Sequence, residues 1–118
     1  SCMDKTVRER KTAVENFVKA TMEGWKSYLA DPAPDSVLIK KDNPNMSDEQ
    51  LAYSVGKLKE MGMVTGGDAA RLGIGIITDA RAKASFDFLV EAKLIDPAKV
   101  KMSEAYSTGY VQGLKVMP

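Results

Sequence analysis

Hydrophobic residues recur at spacings of three and four near the start of the chain, and this spacing predicts one long amphipathic helix. The apolar stripe consists of Val14, Phe17, Val18, Met22, Trp25, Tyr28 and Leu29, which share one face of an α-helix. The helix is predicted to begin between Asp4 and Arg10. It is predicted to end near Ala30, because Pro32 disfavours helical geometry in the residue before it.

Two further helices are predicted before the middle of the chain. Residues 35–41 predict about two helical turns. Ser47 and Gln50 have the spacing of a capping box, in which each side chain bonds the backbone N–H of the other residue. A helix is therefore predicted from Asp48 to about Met61, stopping at Gly62.

The second half is less regular, because four glycines fall between residues 66 and 75. Residues 63–77 are predicted to form a loop with one short helical turn at 68–72. Thr78 or Asp79 is predicted to cap a further helix, whose buried stripe consists of Ala82, Phe86, Leu89, Val90 and Leu94. A last short helix is predicted over residues 103–114, weakened by its two glycines.

The predicted elements are four or five helices and no strand, so the fold class is mainly α. Residues 1–118 are predicted to be a single partial domain, with residues 1–9 a frayed or tag-derived N-terminus and Cys2 an exposed thiol. The helices differ in length, and their loops carry apolar residues. This pattern is typical of helices that cover another surface.

Composition excludes several kinds of chemistry. The 118 residues carry a formal net charge of +1, which gives little support for nucleic-acid binding. There is no histidine and only one cysteine, so His-containing triads, an intrachain disulfide and Cys-rich zinc sites are excluded. No cofactor and no metal are expected, and the longest apolar run is too short to span a bilayer.

Three groups of residues are candidates for a binding site. The backbone N–H groups of the turn at Gly66, Gly67 and Asp68 can approach an anion, although tight turns and close packing are the favoured interpretation. Trp25 and Tyr28 can line a cleft, but core packing is favoured. Arg71 and Arg81 can each bind a carboxylate or sulfonate, but surface salt bridges are expected.

The order of these features resembles one family. The segments on which the resemblance rests are residues 13–21 (AVENFVKAT), Gly24-Trp25, Asp31-Pro32, Asn43-Pro44, Gly66 to Ala69 (GGDA), Gly73 to Gly75 (GIG), Thr78 to Arg81 (TDAR), Ala105 to Thr108 (AYST) and Tyr110-Val111. They are similar to the C-terminal part of ABC-transporter solute-binding proteins of the NMT1/THI5-like branch, which bind nitrate, sulfonates, taurine or thiamine-pyrimidine precursors. Family members are longer, and many have glycine where this chain has Lys93.

The resemblance implies a fold and a function. The fold is the C-terminal helical segment of a type II periplasmic-binding-protein fold, which is α/β when complete. The function is that of a non-catalytic substrate-binding component of an ABC importer, located in the periplasm or cell envelope, whose partners are a small organic or anionic solute and a permease. Most of the residues by which the family holds its ligand lie in loops that this chain lacks, which leaves Gly66, Gly67 and Asp68 as candidates.

Two alternatives stay open. Related proteins of the same superfamily synthesise the thiamine pyrimidine, so the chain could belong to an enzyme whose His or Cys groups lie elsewhere. A small helical adaptor or oligomerisation domain is the other alternative. If the helices cover a sheet that this chain lacks, the isolated chain is expected to form a homo-oligomer through its exposed helix faces or to rearrange.

Overall fold

A computed structural model describes residues 2–118. Within that range the chain forms seven helices and no strand, which confirms the mainly α prediction. The helices are α1 (Asp4–Glu9), α2 (Lys11–Ala30), α3 (Ala33–Asp42), α4 (Asp48–Glu60), α5 (Ala69–Leu72), α6 (Asp79–Glu91) and α7 (Met102–Ala105). The number exceeds the predicted four or five because the first predicted helix is divided and the predicted single turn at 68–72 forms the four-residue helix α5.

The division of the first helix occurs at Arg10, whose φ of −130° and ψ of 42° are not helical. The other end agrees with the sequence prediction, since α2 stops at Ala30 and Asp31 is extended. The Asp31 carboxylate then accepts the backbone N–H of Ala33 at 3.2 Å, at the start of α3. Pro34 lies in the first turn of α3, where its missing N–H costs nothing.

Both ends of α4 form as predicted. Ser47 Oγ accepts the Gln50 N–H at 3.1 Å, and Gln50 Oε1 accepts the Ser47 N–H at 2.9 Å. At the other end Gly62 has a φ of +60°, and the N–H of Met63 reaches back to the Leu58 carbonyl at 3.1 Å. This is a Schellman termination, which favours glycine at the left-handed position.

The end of α6 repeats this geometry without glycine. The N–H of Leu94 donates to the Leu89 carbonyl at 2.9 Å, and Lys93 has a φ of 57°. A residue with a Cβ in this conformation carries a strain of about 1–2 kcal/mol. The helix therefore ends through hydrogen bonding at Glu91, although its termination residue is unfavourable.

The predicted helix over residues 103–114 is wrong beyond Ala105. Tyr106 is extended, with a φ of −150°, and its hydroxyl donates to Asp79 at 2.7 Å. Farther along, the N–H of Ile74 donates to the Val116 carbonyl at 2.8 Å. Long-range contacts to α6 and to the glycine-rich segment therefore replace the local helix, which two glycines already weaken.

Few side chains are buried. The buried apolar residues are Leu29, Leu51, Val55, Ile74, Val111 and Val116, and among the described residues no large side chain is completely enclosed. The accessible surface is 8885 Å², whereas a folded monomer of this mass exposes about 6,300 Å². The radius of gyration is 16.8 Å, against about 13.5 Å for a chain of this length.

The excess surface includes large apolar side chains on several helices. Phe17 on α2 is 74% exposed, Val37 on α3 is 69% exposed and Phe88 on α6 is 64% exposed. The predicted stripe of α6 is only half-buried, and its last member, Leu94, is exposed. The helices thus present apolar surface that the described residues do not cover.

Candidate functional site

An open cleft of about 590 Å³ lies between α2, the glycine-rich segment and the first turn of α6. Thr21, Met22 and Trp25 line it from the second half of α2. The three candidate binding residues, Gly66, Gly67 and Asp68, line the opposite side. The cleft therefore brings the predicted glycine turn together with an aromatic residue more than 40 positions away in sequence.

Close contact between the backbones of Gly66 and Gly62 fixes the shape of the glycine turn at residues 66–68. The N–H of Gly66 donates to the Gly62 carbonyl at 2.8 Å. A Cβ on Gly66 would lie 2.5 Å from that same oxygen, so no larger residue fits without moving the backbone. The predicted interpretation as tight turns and close packing is thus correct, and the same turn also forms a cleft wall.

Thr78 connects the glycine turn to α6. Its hydroxyl donates to Asp68 Oδ2 at 2.9 Å and accepts the backbone N–H of Arg81 at 3.2 Å, which caps the helix. Of the two predicted caps, Thr78 is therefore the one used. One hydroxyl positions both the Asp68 carboxylate and the helical turn that carries Arg81.

Arg81 lines the cleft, whereas Arg71 does not, and neither arginine makes an ion pair within residues 2–118. The expected surface salt bridges are therefore not formed. Asp68, which also lines the cleft, accepts a hydrogen bond from the Thr78 hydroxyl. Asp79, two residues before Arg81, accepts one from the Tyr106 hydroxyl. The Arg81 guanidinium is left as a donor fork for a bound group.

Trp25 is a cleft residue rather than a core residue, which corrects the prediction of core packing. Its side chain is 37% exposed, and its ring meets that of the half-buried Tyr28 edge to face, with centroids 6.0 Å apart. This arrangement is favourable for aromatic pairs. Tyr28 thus supports the orientation of Trp25 at the cleft.

Apolar surface also contributes to the cleft lining. It comes from Met22, Met63, Val64, Ile74 and Ile76. Met22 lies directly against Gly75, at the position that a side chain on that glycine would occupy. Gly75 has a φ of +76°, so both its conformation and its contact with α2 favour glycine.

Beside the cleft, Tyr106 and Asp79 form a contact between the C-terminal segment and α6. The Tyr106 hydroxyl donates to Asp79 Oδ1 at 2.7 Å. This hydrogen bond, together with partial burial and the negative charge of Asp79, raises the pKa of Tyr106 above its ordinary value of 10.0. All three effects stabilise the protonated phenol.

The contact is expected to fail at alkaline pH. Because the folded state holds the phenol proton more tightly than the unfolded state, the stabilisation is complete below pH 10 and is lost as the pH rises through the raised pKa. Tyrosinate absorbance, taken as the difference between the natural chain and Tyr106→Phe, measures this pKa. Asp79→Asn is expected to lower it, and an unchanged pKa in that variant would contradict the assignment.

Within the described part of the chain, no three or more Cys, Asp or Glu side chains are grouped so as to hold a metal ion. Of the helices in residues 2–118, none combines the length and apolar character needed to cross a membrane. The free Cys2 is exposed, as predicted. The chemistry available at the cleft is therefore hydrogen bonding, one carboxylate, one guanidinium and apolar contact.

The sequence predicts Gly66, Gly67 and Asp68 as site residues, but it does not predict that Trp25 and Arg81 lie beside them. The hydrogen bond from Thr78 to Asp68 was not predicted either, although a capping threonine ten residues after an aspartate was visible in the sequence. A comparison of the chain with family models, curated proteins and solved structures finds no match.

Proposed function

We propose that this chain is a non-catalytic solute-binding module, the C-terminal helical portion of an ABC-importer substrate-binding protein of the NMT1/THI5-like type. The observation that carries the proposal is the cleft in which Trp25, Arg81 and the turn at Gly66, Gly67 and Asp68 meet. Small-molecule sites are typically concave and mostly apolar, with a few polar groups that orient the ligand. This cleft is open and combines apolar side chains with an arginine, an aspartate and a glycine-rich turn.

The exposed helix faces support the second part of the proposal. Phe17, Val37 and Phe88 lie on three different helices and are each more than 60% exposed. Large exposed apolar areas mark surfaces that bind another protein or another part of the same protein. In the proposed protein these faces pack against the strands of two lobes, and lobe closure on the solute presents it to the permease.

Solute binding is tested by thermal shift. The chain is screened against sulfonates, nitrate, pyrimidines and aromatic acids, and a ligand at 100 times its Kd adds about 2.7 kcal/mol of stability. Arg81→Gln is expected to reduce the shift, because it removes the only guanidinium in the cleft.

Arg71→Gln is the matched control, because Arg71 lies on α5, is exposed and does not line the cleft. It is expected to retain the full shift. Absence of stabilisation by every solute, amino acids included, or an equal loss of the shift in both variants, would count against the cleft as a solute site.

The uncovered faces lead to a separate expectation for the isolated chain. Copies are expected to associate through their apolar helix faces, since specific dimers bury about 1,200–2,000 Å² in total and the surface excess is of that order. Size-exclusion chromatography with light scattering is expected to give at least twice the mass of one chain. A stable monomer at high concentration would show that the faces do not act as an interface.

The adaptor or oligomerisation domain remains the second candidate, and the same exposed faces favour it. The solute-binding and adaptor functions predict different results when the Arg81 charge is removed. An adaptor is expected to keep its self-association and to show no solute-dependent stabilisation, in the natural chain or in Arg81→Gln.

A further inference from the structure

We propose that the cleft binds a zwitterionic α-amino acid with a large apolar side chain, whose carboxylate pairs with Arg81 and whose ammonium group pairs with Asp68. This inference rests on the proposed solute-binding function and specifies its ligand class. It follows from the juxtaposition of one carboxylate, one guanidinium and an apolar wall in a single cleft.

One acidic and one basic residue line the cleft. Asp68 and Arg81 both line the cleft, yet they form no ion pair with each other. Thr78 holds Asp68 through Oδ2 and leaves the other carboxylate oxygen for a second donor. Opposite charges that share a cleft but do not meet are suited to a molecule that carries both charges and bridges them.

This pair of charges disfavours the simpler ligands. A plain anion on Arg81 would be repelled by Asp68, and a plain cation on Asp68 would be repelled by Arg81. A zwitterion gains both attractions. The N–H groups of Gly67 and Asp68 donate to no other described residue, so they can add hydrogen bonds to the ligand carboxylate.

The apolar wall calls for a large side chain on the ligand. Met22, Trp25 and Met63 line the cleft, with Ile74 and Ile76 beside them. Thioethers and an indole make favourable contacts with aromatic rings. The volume of about 590 Å³ lies within the range of about 300–1,000 Å³ usual for small-molecule sites, so an aromatic amino acid fits.

The test uses L-phenylalanine and two analogues that each lack one charge, 3-phenylpropionate and 2-phenylethylamine. Trp25 is the only tryptophan of the chain, so its fluorescence, excited where phenylalanine does not absorb, reports occupancy of the cleft. L-Phenylalanine is expected to bind at least about tenfold more tightly than either analogue, because each charge-assisted hydrogen bond contributes about that factor.

Charge-removing variants assign each group. Arg81→Gln and Asp68→Asn are each expected to weaken L-phenylalanine binding about tenfold. In Asp68→Asn the amide oxygen can still accept the Thr78 hydroxyl, so the turn keeps its link to α6. The same variant is expected to bind 3-phenylpropionate more tightly than the natural chain does, because the repulsion is gone. Arg71→Gln and Asp42→Asn, which lie outside the cleft, are expected to change nothing.

Two results would overturn the inference. If 3-phenylpropionate binds as tightly as L-phenylalanine and Asp68→Asn has no effect, the cleft takes an anion alone, and the proposed solute-binding function stands while the ligand class fails. If none of the three compounds changes the fluorescence, the amino-acid assignment fails, and the thermal-shift screen with the other solutes decides the proposed function separately.

Discussion

Replacement of Gly73 by alanine is expected to destabilise the fold by about 2.5–5 kcal/mol. Gly73 has a φ of +101°, which strains a residue with a Cβ by about 1–2 kcal/mol. The added Cβ would also lie 2.7 Å from the Lys115 Cα and 2.8 Å from the Val116 nitrogen. Because those neighbours are backbone atoms, the segment must move, and exposure of the buried Val116 costs about a further 1.5–3 kcal/mol.

Urea denaturation followed by circular dichroism measures this loss. Gly24→Ala is the matched control, because Gly24 lies inside α2 and a Cβ there would meet nothing within 4 Å. It is expected to stabilise the chain by about 0.5–1 kcal/mol, the usual gain when alanine replaces glycine within a helix. Equal effects of the two substitutions would show that Val116 does not lie against Gly73.

Truncation of Leu51 to alanine is expected to cost about 2–3 kcal/mol. Leu51 is 4% exposed, the most buried of the apolar side chains on α4. Replacing a buried leucine by alanine costs about 2–5 kcal/mol, and the lower part of that range applies where the surroundings can collapse into the space. Because few side chains of this chain are buried, the lower part of the range is expected for Leu51.

Leu38 provides the comparison within the same chain. It lies on α3 and is 58% exposed, so in the monomer, at a concentration below that of self-association, Leu38→Ala is expected to change the free energy of unfolding by less than about 0.5 kcal/mol. Thermal or urea unfolding of both variants gives the difference. If Leu38→Ala costs as much as Leu51→Ala, the α3 face is covered in solution, as self-association would require.

Element boundaries were predictable where their determinants lie within a few residues. Ser47 and Gln50 cap α4 through side chains three positions apart. Gly62 ends that helix by its own conformation, and Pro32 ends α2 through the residue before it. In each case the physical cause is local, so a single sequence contains it.

The C-terminal segment and the cleft could not be predicted in the same way. The extended course after Ala105 depends on Asp79 and Ile74, which lie about 27 and 40 positions from their partners Tyr106 and Val116. Periodicity reports only local preference, so it favoured a helix there. Similarly, the sequence identified the glycine turn, but the position of Trp25 beside it depends on how α2 packs.

The hydrogen bond between Ile74 and Val116 also bears on how the chain folds. Helical turns form in roughly a microsecond, whereas a contact that closes a loop of about 40 residues must first overcome the entropy of that loop. The helices are therefore expected to form before the glycine-rich segment acquires its final course and the cleft is complete.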